Sequence, residues 1–246
     1  MTSTRTARDN RAEKVAAARA ATQKAQTRRR QSIIGGVVVA VLVVTVGIGV
    51  LVQAQRNSTS STAAPAGTSG TANQTIAVGA AGAAVTITVY EDYQCPACKK
   101  LHDVSGATLQ SFVDKGTARV EYRAIAFLDR FSSTEYATRA LNAAGCVVNA
   151  QPAAFTAFHG LLMDNQPAEN TPGLTDAKLA ELATEAGAPG LTTCINERTF
   201  GDWTKRVTDQ SSKDKISSTP TVLVNGTVVQ NPSPAGLTAA VTAAGG

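Results

Sequence analysis

The sequence predicts a mixed α/β domain, ordered strand–helix–strand, then a block of helices, then strand–strand–helix, preceded by one N-terminal transmembrane helix. Three observations predict it. Residues 33–52, IIGGVVVAVLVVTVGIGVLV, run without a single charge. Two β-branched runs, Ala84 to Tyr90 and Ala118 to Ala126, flank a segment of helical spacing that begins at Cys-Pro-Ala-Cys. A third run, Thr221 to Val224, is followed by Asn225-Gly226 and then by Thr227-Val228-Val229.

The apolar run comes first. At 1.5 Å per residue it spans roughly 30 Å, the hydrocarbon thickness of a bilayer. The chain's net charge of +5 is unevenly placed: residues 1–32 hold nine Lys/Arg and two Asp/Glu, whereas the remainder holds 14 Lys/Arg and 16 Asp/Glu. Arg28, Arg29 and Arg30 directly precede the run and Arg56 alone follows closely. The positive-inside rule puts the basic tail in the cytoplasm and the rest outside, a single-pass topology. The tail has no aromatic residue to stack on bases, so its expected contact is with anionic headgroups and not with nucleic acid. A cleaved signal peptide competes with an anchor, since Val52-Gln53-Ala54 could be read as a small-residue cleavage site and Arg29-Arg30 as a weak twin-arginine signal. The length of the run favours an uncleaved anchor, and either reading exports the domain.

Residues 53–74 are Ser, Thr, Ala and Gly with Pro65, and read as a flexible linker reaching roughly 25 Å. The folded domain is expected at 75–246. Its first strand is dense in Val, Ile and Thr, as a buried strand requires. Pro96 suits the first turn of a helix, where its missing N–H would be unpaired anyway, and Leu101, Val104, Leu109, Phe112 and Val113 continue at helical spacing. From about 133 to 212 the chain is Ala-rich and interrupted at Pro152, Pro167, Pro172 and Pro189, which predicts several short helices inserted into the domain. Asn225-Gly226 is the preferred pair for a tight hairpin, and residues 234–244 read as a closing helix. Aromatics make up only 4% of the chain, so the core is expected to rest on Val, Leu, Ile and Ala.

Four cysteines in an exported domain have an oxidising environment in which to pair. Three complete pairings exist, and local spacing sets Cys95 with Cys98, leaving Cys146 and Cys194. Zinc needs more ligands than one Cys-x-x-Cys supplies. There is no second such pair, and the histidines, His102 and His159, are not ligand-spaced. No metal or other cofactor is expected. A purely structural Cys95–Cys98 bridge would close too small a loop to stabilise much. Redox chemistry is the remaining use. A strand delivers Cys95 to a helix start, where the N–H groups of Ala97 and Cys98 and the helix dipole favour its thiolate. Cys98, a turn inward, is expected to be the buried resolving thiol. Cys146 and Cys194 read as a structural disulfide, as free buried thiols or as a second redox pair.

Glu91-Asp92-Tyr93-Gln94-Cys95-Pro96-Ala97-Cys98, the helical insert and the late Thr219-Pro220-Thr221 together resemble the DsbA-like family of thiol–disulfide oxidoreductases, its actinobacterial members among them. The resemblance covers about 75–246 and implies a thioredoxin fold. Cys95 and Cys98 align with the catalytic pair, Pro96 and Ala97 with the dipeptide between them, and Thr219-Pro220 with a cis-proline loop that binds the substrate chain. It also implies that Cys146–Cys194 is structural. Two departures stand out. Ala97 replaces the histidine common in strongly oxidising relatives, and Val89 stands where many thioredoxin-fold enzymes carry a buried acid. Glu91 and Asp92 are the nearest alternative acids, with loop solvation and helix capping the leading expectation for both. His102 is expected at the surface, and His159 as packing or surface.

The resulting expectation is an oxidase that introduces disulfides into reduced exported proteins and is itself reoxidised by a quinone-linked membrane partner of the DsbB-like or VKOR-like type. A reductase or isomerase, as in cytochrome c maturation, and a substrate-binding module without turnover are the competing readings.

Overall fold

The structure, a computed structural model, describes residues 63–246. The basic tail, the transmembrane helix expected at 33–52 and the first part of the linker lie outside the described residues. Among the described residues no helix is long and apolar enough to cross a membrane.

Strands β1 (Thr68–Ser69), β2 (Thr75–Val78), β3 (Val85–Glu91), β4 (Ala118–Ala124), β5 (Thr221–Val224) and β6 (Thr227–Val228) form one sheet, in the order β1-β2-β4-β3-β5-β6. β3 is central and almost wholly buried, which is why it reads as a continuous apolar run and not as an alternation. It pairs parallel with β4 through the crossover helix α1 (Pro96–Asp114) and antiparallel with β5. That second pairing positions the site. Tyr90 lies opposite Thr221, so the end of β3 and the start of β5 meet, and the segment before Thr221 comes beside the first turn of α1.

The β5–β6 hairpin turns at Asn225 and Gly226, both at positive φ, as the Asn-Gly pair predicts. The closing helix α7 (Pro234–Ala243) starts at Ser233, whose hydroxyl accepts from the Gly236 N–H, and it packs against α1.

The insert is a bundle of α2 (Tyr136–Ala150), α3 (Phe155–Asp164), α4 (Asp176–Glu185), α5 (Thr192–Asn196) and α6 (Gly201–Lys213). α2 is buried along nearly its whole length and contacts each of the other four. Its buried Asn142 and Arg139 are both satisfied. Asn142 donates to the Ile195 carbonyl and accepts from the Phe200 N–H, bridging α5 and α6. Arg139 donates to the carbonyls of Thr134, Pro172 and Leu174 and pairs with Asp176, fixing the loop before α4. Gly173 in that loop has positive φ and lies on the Tyr136 ring, where a Cβ would come within 2.4 Å.

One expectation is corrected. The linker was expected to run to residue 74, but its last part is structured: β1 pairs with β2, Pro65 is buried, the Ala66 N–H donates to Asn149, and Trp203 Nε1 donates to the Asn73 carbonyl. Small polar composition hid a segment whose order comes from the groups it docks on. The core rests mainly on Val, Leu, Ile and Ala, as expected, and the few aromatics supply its bulkiest members, Trp203, Tyr93, Tyr136, Phe155 and Phe158, with four of these five in the insert.

Cys146 on α2 and Cys194 on α5 form a disulfide, 48 residues apart in sequence. A loop of that length implies about 4 kcal/mol of stabilisation from restriction of the unfolded chain. Replacing both by Ala is expected to lower the unfolding free energy by about that amount in denaturant titrations. Thiol–disulfide exchange by the folded protein should be unchanged.

Candidate active site

Cys95 is the N-cap of α1, and Pro96 occupies the first helical position. The Cys95 carbonyl accepts from the Cys98 and Lys99 N–H groups, closing the first turn, and from the side chain of Gln166 in the insert at 3.0 Å. Gln94 reaches the other way, donating to the Phe131 carbonyl. Backbone and side-chain bonds thus hold the Cys95 loop from both sides.

Both thiols are free and buried. Their environments drive them apart. The Cys95 thiol is pushed down to about 6, chiefly by the hydrogen bond it receives from Cys98. Burial opposes this, and the Thr219 side chain and the N–H groups of Cys98 and Ala97 lower it further. Cys98 is pushed far up, first because its own proton is held by Cys95, then by burial and by the Cys95 charge. The Asp92 N–H lies 3.4 Å from Cys98 Sγ. Cys95 Sγ lies 3.4 Å from the Thr219 carbonyl, and the Thr219–Pro220 bond is cis. One sulfur is therefore thiolate near neutral pH while its neighbour holds a proton.

The two acids expected to be solvated are both buried. Asp92 does not cap α1. Its carboxylate accepts from the Gln94 N–H at 2.8 Å and the Leu128 N–H at 2.9 Å, bracing the loop before Cys95. Burial pushes its pKa up to about 7, with those two bonds opposing and the Cys95 charge adding. Glu91 faces His159 of α3, with Oε1 3.2 Å from Nδ1. His159 is fully inside the domain, and His102 is half-buried against it. Sequence reasoning weighed Glu91 and Asp92 but missed His159, Gln166 and Gln94, because nothing in their local spacing marks them.

Beside Cys95 an apolar groove of about 270 Å³ is lined by Ala97, Leu101, Val104, Pro220 and Pro232. Val104, which the helical pattern assigned to a packed face, is half exposed there.

A family model described as "Thioredoxin" matches residues 71–243. "Disulfide bond formation protein D" of Bacillus subtilis is 30% identical over 159 residues, which are 63% of this chain and 69% of that protein. Two solved structures from Mycobacterium tuberculosis are also similar. Reduced DsbA is 32% identical with a TM-score of 0.63 over 70% of this chain and 93% of that one. The reduced disulfide bond oxidoreductase DsbG is 32% identical with a TM-score of 0.64 over 72% and 89%.

The electrostatics give two expected outcomes. Far-UV thiolate absorbance of the reduced protein should titrate near pH 6, and Cys98→Ala should move that midpoint upward, because the largest lowering influence is removed. A thiol at about 6 folded and about 9 unfolded binds fewer protons folded across that window, so folding stability rises with pH there and is lost as pH falls through 6. Thermal unfolding of the reduced protein should show this rise between pH 7 and 9, above the range in which the raised Asp92 pKa opposes it, and Cys95→Ser should abolish it.

Proposed function

The chain belongs to the thioredoxin family, as a DsbA-like thiol–disulfide oxidoreductase, and from that premise we propose that it is an oxidase introducing disulfides into exported proteins through Cys95 and Cys98. The observation that carries the direction is the depressed Cys95 pKa. A stabilised thiolate lowers the energy of the reduced enzyme, which is the product of oxidising a substrate, and so makes the Cys95–Cys98 disulfide a stronger oxidant.

In the proposed cycle a substrate thiolate attacks Cys95 Sγ of the disulfide and Cys98 leaves. The mixed disulfide joins the substrate to Cys95. A second substrate thiolate attacks the substrate-side sulfur, forming the substrate disulfide and releasing Cys95 as thiolate. Two electrons have passed from substrate to enzyme. Thr219 and Pro220 flank Cys95 and are assigned to hold the substrate backbone. The groove of Ala97, Leu101, Val104 and Pro232 suits apolar residues next to the reacting cysteine.

The uncharged run at 33–52 and the arginines before it support a membrane anchor with a cytoplasmic N-terminus and the oxidoreductase domain outside. Anchoring keeps the enzyme near a quinone-linked membrane partner of the DsbB-like or VKOR-like type, which would accept the two electrons.

Cys95→Ser is expected to abolish oxidative refolding of a reduced disulfide protein, and Cys98→Ala to accumulate mixed disulfides with substrate. Cys95 is less acidic than the nucleophile of the strongest oxidants and more acidic than that of thioredoxin, so the reduction potential should fall between about −270 and about −120 mV. Redox titration against glutathione checks it. A value at or below thioredoxin's would replace the oxidase reading by a reductase.

A further inference from the structure

Cys98 leaves the enzyme disulfide inside the protein, where a bare thiolate is costly. Its pKa, far above the ordinary value, means that it takes a proton when it leaves and gives one up when it re-forms the disulfide. Val89, on the same strand six residues before Cys95, is apolar and cannot supply that proton.

We propose that Glu91 and His159 form a buried proton-holding pair that serves Cys98, and that His102 connects the pair to solvent. This rests on the oxidoreductase reading above and goes beyond it. Three observations carry it. First, Glu91 acts electrostatically on Cys98, and the N–H of the next residue, Asp92, touches the Cys98 sulfur. Second, Glu91 Oε1 and His159 Nδ1 are both buried, 3.2 Å apart, and have no other hydrogen-bond partner among the described residues. A carboxylate oxygen facing a bare imidazole nitrogen would be two acceptors in contact, so a proton between them satisfies both. Third, the groups form a graded path outward. Side-chain exposure rises from 4% at Glu91 and 5% at His159 to 25% at His102 and 63% at Asp164. The His159 and His102 rings meet edge to face at 5.5 Å, and His102 Nε2 lies 4.0 Å from Asp164 Oδ1.

The neighbours are compatible with this role. His159 is faced by Tyr93, by Tyr122 of β4 at 4.6 Å and by Phe155 of its own helix. Both tyrosines are pushed up by burial and then by the Glu91 charge, so they stay neutral. His102 is held below the ordinary histidine value by burial first and by His159 next, with Asp164, Glu91 and Asp103 opposing, which favours its neutral form. Asp92 is the rival acceptor, but both its oxygens already accept backbone N–H groups.

The step balances. A substrate thiolate bonds to Cys95 Sγ and the Cys95–Cys98 bond breaks. Cys98 carries off the electron pair and receives the proton held by Glu91 and His159. The pair recovers a proton from solvent through His102. Re-formation of the disulfide runs the transfer backward.

The test uses the full-length oxidised protein and excess dithiothreitol, following the reduction rate from about pH 5 to about pH 9. Glu91→Gln and His159→Gln should each slow reduction by about tenfold or more and change the shape of the pH profile, with the Cys95 thiolate midpoint kept. His102→Gln should slow it less, and added imidazole should restore the rate. Superimposable profiles in folded variants overturn the proposal. So does a loss confined to Asp92→Asn. If the buried variants fail to fold, half-buried His102 decides: a wild-type profile for His102→Gln overturns the relay. Cys95→Ser separates the two layers, because exchange that survives it removes the underlying reading, whereas exchange lost there but normal in the relay variants removes only the relay.

Discussion

The hydrogen bond between Cys98 and Cys95 is the interaction on which the rest of the site depends. It gives one sulfur a proton and leaves the other charged, and it does both at once. Cys95 falls to about 6 because Cys98 donates to it, and Cys98 rises because its proton is held there. The helix start adds to this. The N–H groups of Ala97 and Cys98 contribute less than the neighbouring thiol, so the dipole argument made from the sequence identified a real influence but not the largest one. Such a bond survives only if the two sulfurs are held together, and the fold supplies that. Pro96 fixes the first helical residue, the Cys95 carbonyl receives the first-turn N–H groups, and the insert adds Gln166.

The insert is therefore more than an addition to a complete domain. Gln166 follows α3, and Phe131, which accepts from Gln94, precedes α2. The segment leading into the insert and the loop between its second and third helices thus hold the adjacent residues Gln94 and Cys95. Arg139 keeps the loop after Gln166 in place through three carbonyls and one carboxylate, a use of its fixed fork of donors that lysine could not duplicate. The disulfide and the buried aromatic cluster stiffen the bundle behind these contacts.

Much of this was legible in the sequence. The succession of β3, α1 and β4, and of β5, β6 and α7, followed from β-branched runs and from Asn225-Gly226. Cys95, Pro96 and Cys98 were placed at the helix start by their spacing, whereas Thr219-Pro220 was brought beside Cys95 only by the family resemblance. What could not be read was whatever depends on distant partners. Residues 64–74 look like linker by composition, yet Trp203, 130 positions from its acceptor Asn73, closes a hydrogen bond onto them. His159 and Gln166 have no local signature, since their roles are set by how α3 docks against β3 and α1. Val104 fits the apolar spacing of α1, but the groove beside Pro220 leaves it exposed.

Glu91 and Asp92 show why neighbouring residues of one type need not share a role. Glu91 is the last residue of β3, and side chains at successive extended positions project to opposite sides. One carboxylate therefore reaches α3 and its histidine, and the other turns back to the backbone of its own loop and of Leu128. Both are buried, but the partners differ in kind. Backbone N–H groups only donate, so they hold Asp92 as a fixed acceptor, and its protonation near pH 7 would weaken both bonds. An imidazole can donate or accept, so Glu91 can change its protonation state without losing its partner. A buried group that is to pass protons needs a partner that tolerates both of its states, and Glu91 has such a partner where Asp92 does not.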